Sequence, residues 1–166
     1  GNITINGTFN ISQGFQLNTN GNITCSGPNA LLQFGSNSGL ISNTGTGKVF
    51  TLSNGASFQT SYNTITPLAS TMANMTWLVD NNSALTTIIY KSSGNTTITA
   101  VPNGQLYGNL KFTTSSSGTG TKNILLGESI TILGDLTFAS VFPSTPTLNY
   151  NFQGYKITTT GTGKSI

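Results

Sequence analysis

Ile130-Thr131-Ile132-Leu133-Gly134-Asp135-Leu136-Thr137-Phe138 is the stretch of sequence that decides the fold. It holds two short runs in which apolar residues alternate with threonine, and Gly134 stands between them. Alternation with a period of two is typical of a strand that buries one face. Each run is too short for the arm of an ordinary hairpin. The stretch therefore predicts two very short strands joined by a corner.

The same pattern occurs 127 residues earlier, where Ile3-Thr4-Ile5-Asn6-Gly7-Thr8-Phe9 aligns with residues 130–136. A second match relates Ile41-Ser42-Asn43-Thr44-Gly45-Thr46-Gly47-Lys48 to Ile157-Thr158-Thr159-Thr160-Gly161-Thr162-Gly163-Lys164, with an offset of 116 residues. A chain that repeats itself with small insertions is built by stacking similar units. We therefore predict one continuous segment over residues 1–166, with a repeat of about 116–127 residues, and expect it to be a piece of a longer array.

Similar apolar pairs recur along most of the chain, many of them starting about six to ten residues apart. Asn-Gly steps begin at Asn6, Asn20, Asn54 and Asn103. These steps tolerate positive φ and suit two-residue hairpins, so antiparallel pairing is one alternative. Strands this short, with such frequent corners, favour a coil with three faces per turn. The fold predicted is an all-β parallel β-helix, or β-solenoid, with short three-faced rungs and irregular loop insertions.

Two segments depart from the alternation. Residues 62–94 are predicted to be an irregular insertion, with a short helix or a crossing loop near residues 69–74. Trp77, the only tryptophan, is interpreted as a large core residue, with a platform for stacking a ligand such as a sugar as the alternative. Residues 141–146 contain two prolines and are predicted to form a bulging loop.

Composition excludes several functional classes. Thr, Asn, Gly and Ser make up more than half of the 166 residues, and only nine residues carry a formal charge. The six basic residues are all lysines spread along the chain, which argues against nucleic-acid binding. The sequence contains no run of about 18 apolar residues, so no membrane span is predicted. Cys25, the single cysteine, alternates with Ile23 and is predicted to be a buried apolar residue.

The candidates for catalysis are few, because the chain has no histidine and only three acidic residues. Glu128 and Asp135 form the one carboxylate pair close enough in sequence to consider, and could lie on adjacent corners. The two Gly-Thr-Gly-Lys elements lack the glycine spacing and the following helix of a phosphate loop, so they are interpreted as corners. We predict no catalytic residues, no cofactor, no metal site and no enzymatic activity.

The sequence after residue 75 resembles a known family. Leu106-Tyr107-Gly108-Asn109-Leu110-Lys111-Phe112, Ser117-Gly118-Thr119-Gly120-Thr121-Lys122 and Gly134-Asp135-Leu136-Thr137 follow one another, and Asn151-Phe152-Gln153-Gly154-Tyr155-Lys156-Ile157 comes after them. This succession resembles the β-strand-repeat surface proteins of Bacteroidota, and residues 1–60 match more loosely. The resemblance implies a very long adhesin-like protein that is exported by the type IX secretion route, with some relatives linked to gliding motility.

The function predicted from these observations is structural. We expect a non-enzymatic, adhesin-like segment of a large exported surface protein, acting as a rigid stalk or as a multivalent adhesive surface. The expected partners are neighbouring repeats of the same chain, and also secretion machinery, surface polysaccharide or further copies. Two alternatives stay open: a carbohydrate-active β-helix that binds or cleaves polysaccharide, and a subunit of a self-assembling extracellular filament.

Overall fold

The computed structural model describes residues 1–11, 16–35, 40–61, 67–92, 95–114, 122–139 and 148–160. Within these ranges the chain forms short strands with one short helix and one turn of 3-10 helix. The strands are β1 (Ile3–Ile5), β2 (Thr8–Ile11), β3 (Gln16–Thr19), β4 (Ile23–Ser26), β5 (Leu31–Phe34), β6 (Leu40–Asn43), β7 (Val49–Ser53), β8 (Ser57–Thr60), β9 (Met72–Ala73), β10 (Thr76–Asp80), β11 (Thr87–Ser92), β12 (Thr96–Ile98), β13 (Asn109–Thr114), β14 (Lys122–Leu126), β15 (Ile130–Ile132), β16 (Leu136–Ala139), β17 (Leu148–Asn151) and β18 (Ile157–Thr159). Helix α1 spans Pro67–Thr71, and the 3-10 turn spans Pro102–Gly104.

The strands stack in parallel into a β-solenoid, which confirms the predicted fold class. All the ladders between these strands are parallel. The second face of the coil is one six-stranded sheet in the order β16-β13-β11-β8-β5-β2. The first face contains β1-β4-β7-β10 and, further along, β15-β18. The third face contains β3-β6-β9 and β12-β14-β17.

One turn of the coil takes between 20 and 31 residues, which follows from the register of the paired strands. Ile3 pairs with Ile23, and Ile41 pairs with Met72. The 127-residue match relates β1 to β15, two strands of the first face. The 116-residue match relates β6 to β18, which belong to different faces, and residues 161–164 of its second copy lie outside the described residues. Only the longer offset therefore joins equivalent positions.

The interior is a continuous column of apolar side chains, because alternate residues of every face point inward. Its centre is an aromatic cluster of Phe34, Phe50, Phe58 and Trp77, with ring centroids 4.8 to 5.6 Å apart. A second aromatic group joins Tyr90, Phe112, Phe138 and Tyr150 towards the C-terminal end. Contacts of this kind add to the free energy gained from burying the rings.

The coil continues through much of residues 62–94, the segment predicted to be irregular. Within it β10 pairs with β7, and β11 pairs with β8. Helix α1 covers part of the stretch for which a short helix or loop was predicted, and leads directly into β9. The predicted loop at residues 141–146 lies outside the described residues.

Asparagine serves the corners in two ways. At the Asn54-Gly55 and Asn103-Gly104 steps both residues have positive φ, as this dipeptide tolerates. Elsewhere asparagine side chains bond from one rung to the next: Asn2 Oδ1 accepts the Asn22 N–H, and Asn22 Oδ1 accepts the Val49 N–H. These bonds satisfy backbone groups at the strand ends, so the abundance of asparagine follows from the large number of corners.

Candidate functional site

Trp77 lies in the core and does not present its ring to solvent. Its exposed fraction is 1%, and its ring centroid lies 4.8 Å from that of Phe50 and 5.0 Å from that of Phe58, both in edge-on geometry. The indole Nε1–H has no hydrogen-bond partner among the described residues. The structure therefore gives Trp77 the core position that we favoured and leaves no face of the ring for stacking a ligand.

The carboxylate pair considered for catalysis lies at opposite ends of β15. Glu128 precedes this strand and its Oε1 accepts the Ala100 N–H at 2.8 Å, while Asp135 follows the strand. The third carboxylate, Asp80, caps its own corner by accepting the Asn82 N–H at 2.9 Å. Among the described residues no group of three metal-ligating side chains comes together.

The buried hydroxyls and the buried thiol are held in their neutral forms. Burial raises the pKa of the Cys25 thiol to about 11, although a backbone hydrogen bond opposes the shift. Tyr90 and Tyr107 share a hydrogen bond of 2.9 Å between their hydroxyl oxygens, and Tyr107 also donates to the Thr99 carbonyl at 2.6 Å. Burial raises the pKa of both tyrosines. These groups stabilise the core, and none of them is an activated nucleophile.

The first Gly-Thr-Gly-Lys element forms a corner between β6 and β7. The Gly45 N–H donates to Asn43 Oδ1 at 2.7 Å, and Gly47 has a φ of 66°. Strands, and no helix, stand on both sides of this element. A phosphate loop needs a helix directly after it, so the geometry agrees with a solenoid corner.

A column of threonines runs along the outside of the first face. Thr4 pairs with Thr24, and Thr24 pairs with Thr51. Further along the same face Thr131 pairs with Thr158. Four of these threonines lie between two apolar residues, and Thr158 lies between Ile157 and Thr159. The column presents hydroxyl and methyl groups to solvent at the spacing of the strands, about 4.8 Å. None of the five threonine positions named here carries a charge.

An apolar hollow opens at the C-terminal end of the described coil. It has a volume of about 510 Å³ and is formed by the last strand of each face, β16, β17 and β18, and by the turn before β18. Its apolar lining consists of Leu136, Phe138, Tyr150, Phe152, Tyr155 and Ile157.

Three of the rings in this hollow are unusually exposed for aromatic side chains, with exposed fractions of 41% for Phe138, 47% for Phe152 and 42% for Tyr155. Among the described residues of the lining, Lys156 is the one that carries a charge. Phe138 belongs to the alternating stretch that predicted a strand with one buried face, and all three rings line the hollow at the C-terminal end of the described coil. No local pattern in the sequence predicts their exposure, because it depends on which strand stacks next to them.

The chain was compared with protein-family models, with curated proteins and with solved structures, and nothing matched in any of the three. The resemblance to the surface proteins of Bacteroidota therefore stays a prediction. No helix in the described part of the chain is long and apolar enough to cross a membrane.

Proposed function

We propose that this chain is a non-enzymatic structural segment of a large exported surface protein, acting as a stiff stalk or a multivalent adhesive surface outside the cell. The observation that carries the proposal is the parallel stack itself. Six strands of the second face follow one another in a single sheet, and the aromatic cluster of the core spans successive rungs. A rod built in this way resists bending, because the second face bonds the described rungs in one sheet and the other two faces add further parallel ladders.

The outer surface supports the adhesive part of the proposal. It carries hydroxyl and amide groups in columns and few charges, and the threonine column of the first face repeats the same chemistry along the rod. Each contact made by such a column is weak. Contacts that repeat along one stiff body act together, so that the avidity grows faster than the number of contacts.

The test compares single and tandem copies of the chain for retention on polysaccharide-coated and uncoated surfaces under flow. We expect retention to rise more than in proportion to the number of copies. Replacing Thr24 and Thr51 together by Glu should weaken retention, because two charges then interrupt the column, whereas Asn10→Glu on another face serves as the matched control. Retention that is the same for one copy and for four would contradict the proposal.

The enzymatic alternative is tested on the same samples. The chain is incubated with acidic and neutral polysaccharides, and new reducing ends or unsaturated sugars are measured. Cleavage that disappears in Glu128→Gln or Asp135→Asn would replace the structural proposal by the carbohydrate-active one.

A further inference from the structure

A small cleft opens on the first face within the stack, between the segment 101–107 and β15. Its volume is about 170 Å³, and β10 and β18 form the rungs on either side of it. Leu106 and Ser129, which line it, are exposed, whereas Val101 and Ile130, which also line it, are buried. The cleft is therefore open to solvent and apolar at its base.

The cleft lies where the ladder of the first face is interrupted. Tyr107 pairs with β15 in the regular way, since its N–H donates to the Thr131 carbonyl at 3.3 Å. Two residues earlier, Gln105 would be the next to pair in a regular parallel ladder. Its N–H turns back to the Pro102 carbonyl instead, and its side chain accepts the Val79 N–H of β10.

The interruption leaves one donor and one acceptor of β15 unpaired. In a continued ladder, Gln105 would accept the Thr131 N–H and donate to the Ser129 carbonyl. Neither of these two groups has a hydrogen bond to any residue in the described part of the chain. The strand on the other side of β15 does not take them either, because it is Ile130 and Ile132 that bond the β18 side. A free N–H and a free C=O therefore stand side by side at the cleft.

We propose that this cleft binds one neutral sugar residue of a polysaccharide through two neighbouring hydroxyl groups. One hydroxyl accepts the Thr131 N–H and the next donates to the Ser129 carbonyl, since a hydroxyl can do either. The carbon face of the sugar ring lies against Leu106. The proposal deepens the adhesive role of the chain and rests on it, because it adds one specific site to the repeated weak contacts of the outer surface.

Size and charge favour a neutral sugar residue over other occupants. The volume is the share of about five or six molecules of liquid water at about 30 Å³ each. It lies below the range of about 300–1,000 Å³ for a drug-sized ligand, so one ring enters and the rest of the polysaccharide stays outside. Among the described residues of the lining none carries a charge, and Glu128 at the margin, bonded to the Ala100 N–H, is unfavourable for an acidic sugar. A polypeptide strand does not fit, because the segment 101–107 already occupies that place in the face.

The test follows the Thr131 amide by proton–nitrogen NMR of the full chain while a neutral tetrasaccharide of glucose, mannose or galactose is added. At least one of these sugars should shift the amide signal saturably and slow the hydrogen exchange of the same amide. Its permethylated form keeps the ring but has no hydroxyl to donate, and should bind at least about tenfold more weakly. A tetrasaccharide of galacturonic acid should also bind more weakly than the neutral sugar, because Glu128 repels it.

Variants of the protein locate the site. Leu106→Ser removes apolar surface from the cleft and Ala100→Leu fills it, so each should weaken binding about tenfold. Leu78→Ser is the matched control, because Leu78 is a similarly exposed leucine, 47% against 43% for Leu106, on the far side of the segment 101–107. Its loss should leave the affinity unchanged. Circular dichroism of every variant establishes that the solenoid is intact.

The proposal is wrong if none of the neutral tetrasaccharides shifts the Thr131 amide, since the cleft then holds water only. Tighter binding of the galacturonic acid tetrasaccharide would contradict the neutral ligand, and a capped tetra-alanine peptide that shifts this amide when the sugars do not would assign the cleft to a polypeptide. Equal loss of binding in Leu78→Ser and Leu106→Ser would place the sugar outside the cleft. None of these results would affect the comparison of single and tandem copies, which depends on Thr24 and Thr51, so the two proposals fail separately.

Discussion

Trp77 shows at the scale of one residue how far the core depends on aromatic packing. It is fully buried between Phe50 and Phe58. We expect Trp77→Ala to lower the free energy of unfolding by about 3 to 5 kcal/mol, the usual cost of removing a large buried ring. Trp77→Phe should cost clearly less, because it keeps a ring and removes an indole N–H that has no partner in the described part of the chain.

Urea unfolding followed by circular dichroism measures both changes. Leu78→Ala is the control, since Leu78 is the next residue and 47% of it is exposed; its effect should stay within about 0.5 kcal/mol. A Trp77→Ala variant as stable as the Leu78→Ala variant would show that the ring is not part of the core.

The raised pKa of the Cys25 thiol predicts how the stability of the folded chain depends on pH in the alkaline range. Its pKa is about 11 in the folded chain, against an ordinary value of 9.0, so the folded state holds the thiol proton more tightly. The stabilisation is fully present below about pH 9 and is lost as the pH rises towards 11, with a total on the order of 2 to 3 kcal/mol.

The measurement is the urea midpoint at a series of pH values from 8 to 10, for the native chain and for Cys25→Ala. The native chain should lose stability across this interval, and the variant should lose less, although it is less stable at pH 8. Parallel curves for the two proteins would contradict a raised thiol pKa. The buried tyrosines add a further loss at higher pH, because their pKa values are also raised.

The segment 101–107 takes the place of a strand in the first face. Its hydrogen bonds to β10 lead to a testable prediction. The Trp77 N–H of β10 donates to Asn103 Oδ1 at 2.7 Å, and the Val79 N–H donates to Gln105 Oε1 at 3.0 Å. Two side-chain amide oxygens thus accept the hydrogen bonds that the backbone carbonyl groups of a neighbouring strand would otherwise accept. Tyr107 then returns to regular parallel pairing opposite Ile132.

Asn103→Gly should lower the free energy of unfolding by about 1 to 3 kcal/mol, since it leaves the Trp77 N–H without a partner but keeps the positive φ accessible. Asn103→Asp retains the acceptor oxygen and should cost little. Asn54→Gly is the matched control, because Asn54 also has positive φ and its side-chain amide donates to the Ser26 hydroxyl and not to a backbone group of a neighbouring strand, among the described residues. Hydrogen exchange at the Trp77 amide should accelerate in Asn103→Gly alone.

These elements also show what could be predicted from the sequence. Local signals sufficed for the fold: alternating pairs such as Ile130 and Ile132 gave the strands, and the Asn-Gly steps gave corners. Pairing in register from rung to rung follows from those signals, because all the inward positions must share one core. The sequence therefore predicted a parallel solenoid, and the structure confirms it.

Other features of the structure could not be predicted from the sequence, because they depend on how the rungs stack on one another. Asn103-Gly104 and Asn54-Gly55 are the same dipeptide and both have positive φ. The Asn103 side chain, however, accepts a backbone N–H of β10 in place of a strand carbonyl, and this contact is visible only in the structure. The inward direction of Phe138 follows from its alternation with Leu136, but its exposed fraction of 41% depends on what stacks next to it. The hollow could not be predicted for the same reason. Its three strands, β16, β17 and β18, follow one another along the chain, but the space between them depends on how they stack.

At the scale of the whole molecule, a solenoid has no single closed core. Each rung contacts only the rungs before and after it, so the free energy of opening a strand depends on its place along the coil. Strands β5, β7 and β8 contribute to the central aromatic cluster and have partners on both sides. β1 and β18 have a described partner on one side only.

We therefore expect a gradient of hydrogen-exchange protection, greatest at β5, β7 and β8 and least at β1 and β18, measured by mass spectrometry of the intact folded chain. Phe58→Ala, in the central cluster, should lower protection on the rungs around it. Phe9→Ala should affect β1 and β2 alone, because Phe9 lies at the end of the six-stranded sheet and 36% of it is exposed. Uniform protection in all strands, with both substitutions lowering it everywhere, would mean that the coil unfolds as one cooperative unit instead of rung by rung.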